Sequence, residues 1–302
     1  MYGTDLHEFI RLALEEDVGD GDHTSLATIP PDATGRARLL VKEDGLVAGV
    51  ELAELIFKQV DPDMQVEVLI NDGSPIYYGD IVLTVAGRSQ SILKAERLVL
   101  NCMQRMSGIA TYTNKLVRLL DGLPTKLLDT RKTTPNFRIC EKWATRIGGA
   151  ANHRYALYDQ ILIKDNHVDY AGGIEAALHK ANDYLTATGR NLAIEIEVRN
   201  LAELDTVLQV GNATPNCLQR IMLDNFSFEN LREAVRRVAG RYPTEASGGI
   251  NEQTLRQYAE CGVDYISVGA LTHHVSSLDL SLKAGSSDLR SEQRSPINQK
   301  SP

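Results

Sequence analysis

Apolar residues at positions 6, 9, 10, 13 and 14 recur at helical spacing and predict an amphipathic helix near the start of the chain. The period then changes. Residues 34–50 and 64–87 alternate as strands do, with turn signals at Asp72-Gly73 and Tyr78-Gly79-Asp80. Residues 51–60 and 93 to about 120 return to helical spacing. These elements predict an α+β domain over residues 1–110, to which residues 275–285 could return.

After Gly122 the rhythm differs again. Short apolar strands, each ending in polar or charged residues, are expected at 126–129, 161–164, 193–197, 220–224, 244–247 and 265–269. Helical stretches at 141–148, 173–188, 201–210, 228–239 and 252–261 separate them. The spacing suits right-handed βαβ units, which need about 30 residues each. Repeated units with charged strand ends predict an α/β fold, a (β/α) barrel over residues 111–274. A doubly wound open sheet uses the same units and ranks second. The polar, aperiodic residues 286–302 are expected to form a disordered tail.

The chain has 302 residues and a net charge of −8, which argues against a protein that coats nucleic acid or anionic membrane. No apolar run approaches the ~18 residues of a membrane span, and no signal peptide is recognised at the start. Cys102, Cys140, Cys217 and Cys261 show neither zinc-ligand nor disulfide-framework spacing, so reduced thiols and a cytoplasmic location are expected. One stretch runs against the overall charge. Residues 130–164 carry seven Lys/Arg against two acids, a net +5.

In an α/β barrel the reacting groups sit at the C-terminal ends of strands. Those ends hold Arg131 and Lys132, Lys164, Glu197, Asp224, Ser247-Gly248-Gly249 and Gly269-Ala270, with His153 and Arg154 in a loop. The cations suit a multiply anionic ligand, because Arg offers a planar fork and Lys a compact charge. Lys142 and Arg146 are expected on a solvated helix face. The glycine turns at 248–249 and 269–270 are expected to bind phosphate through backbone N–H groups and helix N-termini. Glu197 and Asp224 could hold Mg²⁺ or ribose hydroxyls. Of Glu195 and Glu197, one is expected to face the barrel interior and the other the helices. Asp17, Asp20 and Asp22 read as an ordinary acidic turn, and His273 and His274 as too close in sequence for both rings to face one site.

The stretches EEDVGDGDHTS (15–25), ERLVLNCMQRMSGIAT (96–111), LLDTRKTTPNFR (127–138), GGAANHR (148–154), ILIKDNHV (161–168), EIEVRNL (195–201), IMLDNF (221–226), EASGGI (245–250) and GVDYISVGALTHH (262–274) resemble the quinolinate phosphoribosyltransferase family, in order and over nearly the whole chain. The resemblance implies an incomplete α/β barrel beside a sandwich-like N-terminal domain. It also implies a homodimer with shared active sites, Arg97 reaching into the partner's site, and leaves a larger assembly open. By the same resemblance Arg131, Lys132, His153, Arg154 and Lys164 bind dicarboxylate and phosphate groups. Glu197 and Asp224 are the Mg²⁺- and ribose-linked acids, and Ser247, Gly248, Gly249, Gly269 and Ala270 hold a 5′-phosphate.

The implied substrates are quinolinate and phosphoribosyl pyrophosphate, with Lys132, Lys164, Glu197 and Asp224 as the catalytic set. Asn136-Phe137 departs from a usual Gly-Leu pair, Ala150 from a third Gly, and Tyr155-Ala156 from a common Gly. A related molybdenum-transport-linked branch shares much of the pattern. A non-catalytic phosphosugar-binding barrel would keep the glycine turns without needing Glu197 and Asp224.

Overall fold

The structure, a computed structural model, describes residues 6–213 and 218–285; position 217 and the expected tail lie outside the described residues. The described chain divides into two compact units, one ending at Gly108 and resuming at Ser276, the other spanning Ile109–Val275.

The first unit holds α1 (Leu6–Val18), α2 (His23–Thr28), β1 (Thr34–Val41), β2 (Gly45–Leu46), α3 (Val50–Val60), β3 (Gln65–Val68), β4 (Pro75–Ile76), β5 (Ile81–Arg88) and the start of α4 (Ser89–Arg118). The chain's last described strand, Leu280–Gly285, pairs antiparallel with β1, which pairs with β5, which pairs with β3. Alternation in β1 sends Ala37, Leu39 and Val41 inward, where they join the buried Ile10, Leu52, Ile56, Phe57 and Leu83.

The alternating stretches are more broken than their pattern implies. The 34–50 stretch stops at Val41, and α3 starts at Val50. The Asp72-Gly73 turn supplies the reason for that start: Asp72 accepts the backbone N–H of Val50 at 2.9 Å, taking up a donor that the first helical turn leaves unpaired. The acidic stretch before residue 23 is likewise more than a turn. Asp22 is the N-cap of α2, its carboxylate accepting the Ser25 N–H at 3.1 Å.

The second unit contains β6 (Lys126–Leu128), α5 (Arg138–Ile147), β7 (Ile161–Ile163), α6 (Asp165–Ala171), α7 (Ile174–Thr188), β8 (Ile194–Val198), α8 (Leu201–Ala213), β9 (Arg220–Asp224), α9 (Phe228–Val238), β10 (Thr244–Ser247), α10 (Leu255–Ala259), β11 (Tyr265–Ser267) and α11 (Ala270–His273). Its six strands are parallel in the order β6-β11-β10-β9-β8-β7. A doubly wound sheet reverses its order at a switch point. Here β7 to β11 run in sequence and β6 sits beside β11, the cyclic order of a barrel. The barrel is incomplete at the seam between β6 and β7, where no strands pair among the described residues. Ala151 alone bridges to Leu128 there, giving its N–H to Leu127 at 2.9 Å and accepting that of Asp129 at 3.2 Å.

Three expectations need correction. Residues two apart in a strand share a face, so Glu195 and Glu197 point the same way, and both are buried. Lys142 is not on a solvated face: it is 1% exposed and its ammonium meets Asp129 at 2.5 Å. The helix expected at 252–261 shrinks to α10, because residues 252–254 are taken by a turn closed by the Asn251 side chain.

Candidate active site

The strand ends of the second unit meet at one cavity of about 860 Å³. Arg131 and Lys132 enter from the loop after β6, Arg154 and His153 from the loop that bridges the seam, and Lys164 from the end of β7. Glu197, Asp224 and Ser247 come from β8, β9 and β10, and Gly248, Gly249, Gly269 and Ala270 from the turns that follow β10 and β11. Arg97 is exposed on α4 within the first unit and is not among the lining residues. His273 and His274 both line the cavity, contrary to expectation, because one short turn of α11 delivers both rings to the same wall. Glu245 is a lining residue that the sequence reading passed over. Its signal was available: it lies two residues before Ser247 in the same strand.

The mouth loop rests on a buried polar anchor. Asp129 ends β6 and is fully buried. It accepts Lys142 Nζ at 2.5 Å, Asn152 Nδ2 at 2.5 Å and the backbone N–H of His153 at 2.8 Å. Burial raises the Asp129 carboxyl from its ordinary range although Lys142 opposes the shift, and burial lowers the Lys142 ammonium. The anchor therefore fixes residues 152–153 to a strand end. In the loop before α5, Asn136 takes a left-handed φ of 60°, where asparagine is tolerated better than most residues, so the departure from glycine at this position keeps the backbone shape.

The two arginines compete electrostatically. Burial, and then repulsion from Arg131, pull the Arg154 guanidinium down from its usual value. Arg131 Nε is buried without a hydrogen-bond partner. An anion between them would satisfy both. Across the cavity Lys164 Nζ lies 3.5 Å from Glu197. Burial raises the Glu197 carboxyl, Lys164 lowers it, and Asp224 raises it again.

Asp224 accepts from Ser247 Oγ at 2.6 Å and from Asn225 Nδ2 at 2.6 Å. Gly248 and Gly249 have φ of 96° and 60°, and a Cβ at Gly248 would lie 2.2 Å from Asn225 Oδ1. This turn therefore requires glycine. Because α10 starts only at Leu255, the turn offers loop backbone rather than a helix N-terminus directly behind it.

Parallel βα units around an open seam, with a cationic mouth facing paired carboxylates and glycine turns, define an α/β-barrel protein of the phosphate-handling type. Two family models divide the chain between them: the quinolinate phosphoribosyl transferase N-terminal domain over residues 22–107 and its C-terminal domain over 109–283. The chain belongs to the quinolinate phosphoribosyltransferase family. It is 47% identical over 289 residues to a tobacco (Nicotiana tabacum) quinolinate phosphoribosyltransferase [decarboxylating] 1b, covering 92% of this chain and 82% of the relative. It is 45% identical over 289 residues, with the same coverage, to a chloroplastic nicotinate-nucleotide pyrophosphorylase [carboxylating] of Arabidopsis thaliana. The crystal structure of NadC from Streptococcus pyogenes matches with a TM-score of 0.85 at 35% identity, covering 93% of this chain and 98% of that one.

Proposed function

We propose that this chain transfers phosphoribose from phosphoribosyl pyrophosphate to quinolinate with loss of carbon dioxide, giving nicotinate mononucleotide and pyrophosphate in de novo NAD biosynthesis. The carrying observation is the convergence of Arg131, Lys132, Arg154 and Lys164 on the cavity that also holds Glu197 and Asp224. Both substrates are polyanions. A single cavity that sets four Lys and Arg side chains against Glu197, Asp224 and Glu245 suits a dicarboxylate beside a phosphorylated sugar.

In this reading Arg131 and Arg154 orient the quinolinate carboxylates, with His153 at their base. The pyridine nitrogen is held in line with ribose C1, so that proximity lowers the barrier. The C1–O bond to pyrophosphate breaks with its electron pair leaving on oxygen, and the N–C1 bond forms. Lys132 and Lys164 stabilise the departing charge electrostatically, and the acids favour the positive charge growing on the ribose. The pyridinium then accepts the electron pair of the adjacent carbon–carboxylate bond. Carbon dioxide departs, and a solvent-derived proton takes its place on the ring. Ser247, Gly248, Gly249, Gly269 and Ala270 hold the 5′-phosphate.

Glu197 and Asp224 fit a Mg²⁺ ion: both are hard oxygen donors, and the Asp224 charge disfavours ionisation of Glu197, which a cation between them would relieve. Bound there, Mg²⁺ would supply positive charge for pyrophosphate oxygens. The family resemblance supports assembly as a homodimer in which Arg97, exposed on α4, serves a neighbouring copy. A cytoplasmic location is proposed from the cysteine spacing, which matches no disulfide framework. No helix among the described residues is long and apolar enough to cross a membrane.

One assay tests the reaction: purified protein, quinolinate, phosphoribosyl pyrophosphate and graded Mg²⁺, with carbon dioxide and nicotinate mononucleotide followed together. Equal amounts of both are expected, and no product at any Mg²⁺ level would overturn the reading.

A further inference from the structure

Glu245, which lines the cavity, belongs to a group of buried side chains to which the reaction above gives no role. Glu195 and Glu245 are completely buried in neighbouring parts of the sheet, and Arg220 reaches both, at 3.8 and 2.9 Å. The Arg220 guanidinium also lies over the Tyr265 ring, 4.3 Å from its centroid. The spacing of His153, Glu195 and Glu245 would allow them to chelate a cation. Arg220 already supplies positive charge to the same oxygens, so a metal would meet repulsion as well as ligands.

The bonding pattern points to a different role. His153 Nε2 lies 3.1 Å from Glu195 Oε2, an ionic contact outside hydrogen-bonding geometry, while its Nδ1 accepts the backbone N–H of Arg154 at 2.7 Å. A nitrogen that accepts carries no proton, so the ring proton sits on Nε2, facing the glutamates. The same Glu195 oxygen accepts the Gln160 side-chain Nε2 at 2.9 Å, and the Gln160 backbone carbonyl accepts Arg154 Nη1 at 3.1 Å. Two separate paths thus leave one buried oxygen and end on one residue. The path through His153 fixes the backbone of Arg154, and the path through Gln160 fixes its guanidinium.

We propose that Glu195, held by Arg220, is a positioning residue that fixes Arg154 at both ends and so sets the enzyme's affinity for the dicarboxylate substrate. This rests on the reading of Arg154 as a carboxylate-binding group. It makes His153 a spacer between Glu195 and the Arg154 backbone. It also predicts that damage at Glu195 falls on quinolinate rather than on phosphoribosyl pyrophosphate, because neither path reaches the glycine turns.

The test compares Glu195→Ala, Glu195→Gln and Gln160→Ala in the full chain, measuring kcat and the KM of each substrate. Glu195→Ala should raise the quinolinate KM about tenfold or more, the scale of a lost hydrogen bond to a charged group, and leave the phosphoribosyl pyrophosphate KM within about twofold. Gln160→Ala removes the side chain through which Glu195 holds residue 160 but keeps the backbone carbonyl that accepts Arg154, so it should raise the quinolinate KM by a smaller factor. Glu195→Gln keeps an oxygen that can accept both donors and should restore a near-native KM. In an Arg154→Ala background Glu195→Ala should add little to the loss of quinolinate binding, because its effect passes through Arg154.

Equal rises in both KM values, or full additivity with Arg154→Ala, would overturn the inference. If Glu195→Ala does not fold, Gln160→Ala decides: an unchanged quinolinate KM overturns it, and a selective rise supports it. A wild-type chain that makes no product overturns the functional reading and this inference together. An active wild type with unaltered variants overturns this inference alone.

Discussion

Gly248 shows how little freedom a single position at this site has. Its φ of 96° disfavours any side chain, and an added Cβ would lie 2.2 Å from Asn225 Oδ1 and 2.9 Å from the Asn225 backbone nitrogen. Asn225 in turn donates to Asp224. Gly248→Ala should therefore shift the Asn225–Asp224 pair rather than unfold the barrel. Misplacement on this scale costs about a hundredfold in kcat/KM when reacting groups must be held in line. Steady-state kinetics with an unchanged circular dichroism spectrum is the expected result, and native kinetics would refute the steric argument. Lys142 illustrates the opposite kind of constraint. It is buried against Asp129, which also accepts from Asn152 and His153. Lys142→Met leaves a buried carboxylate without its counter-charge, and breaking such a pair costs about 3–5 kcal/mol. Urea denaturation should show this loss. Because the same carboxylate anchors the mouth loop, the quinolinate KM should rise as well.

Elements were legible where one cause fixed them. The strands of the second unit were placed within a residue or two, because short apolar runs ending in charge leave little choice of register. Elements decided by a side chain bonding to distant or adjacent backbone were not. The α3 start, held by Asp72 22 residues away, is the exception, since helical spacing from residue 51 already marks it. The α10 start depends on a turn closed by Asn251, and α11 on a strand end that periodicity read as continuing to Gly269. The α2 helix was hidden because three acids in close succession read as an acidic turn, whereas Asp22 is its N-cap. Asp22→Ala removes an acceptor for the Ser25 N–H and should lower stability by about 1 kcal/mol. Thermal unfolding followed by helical circular dichroism checks it, and Asp22→Asn, which keeps an acceptor, should lose less.

At the scale of the molecule, the barrel brings together residues that the chain separates, so strand-end reading found most of the cavity wall before any coordinates. It could not find what lies below the wall. Lys142 reads as a surface charge, because burial of a charge depends on partners from other elements, here Asp129. Arg97 came from family resemblance alone. The buried layer has a consequence for the stability of the whole chain. Burial first, and then the negative charge of Glu195, push the Glu245 carboxyl up to about 7, against 4.5 when unperturbed. Between these values the native state keeps a proton that the unfolded chain has released. The resulting stabilisation is complete below about pH 4.5 and disappears as pH rises through about 7. Glu245→Gln is neutral throughout and removes this contribution. Denaturation midpoints measured across that window should fall with rising pH more steeply for the wild type than for Glu245→Gln. Titrating groups away from Glu245 cancel in the difference, whereas Glu195 and His153, which feel its charge, shift with it. Identical slopes would mean that Glu245 is ionised in the native state across the window, with Arg220 and His153 together outweighing both its burial and the charge of Glu195.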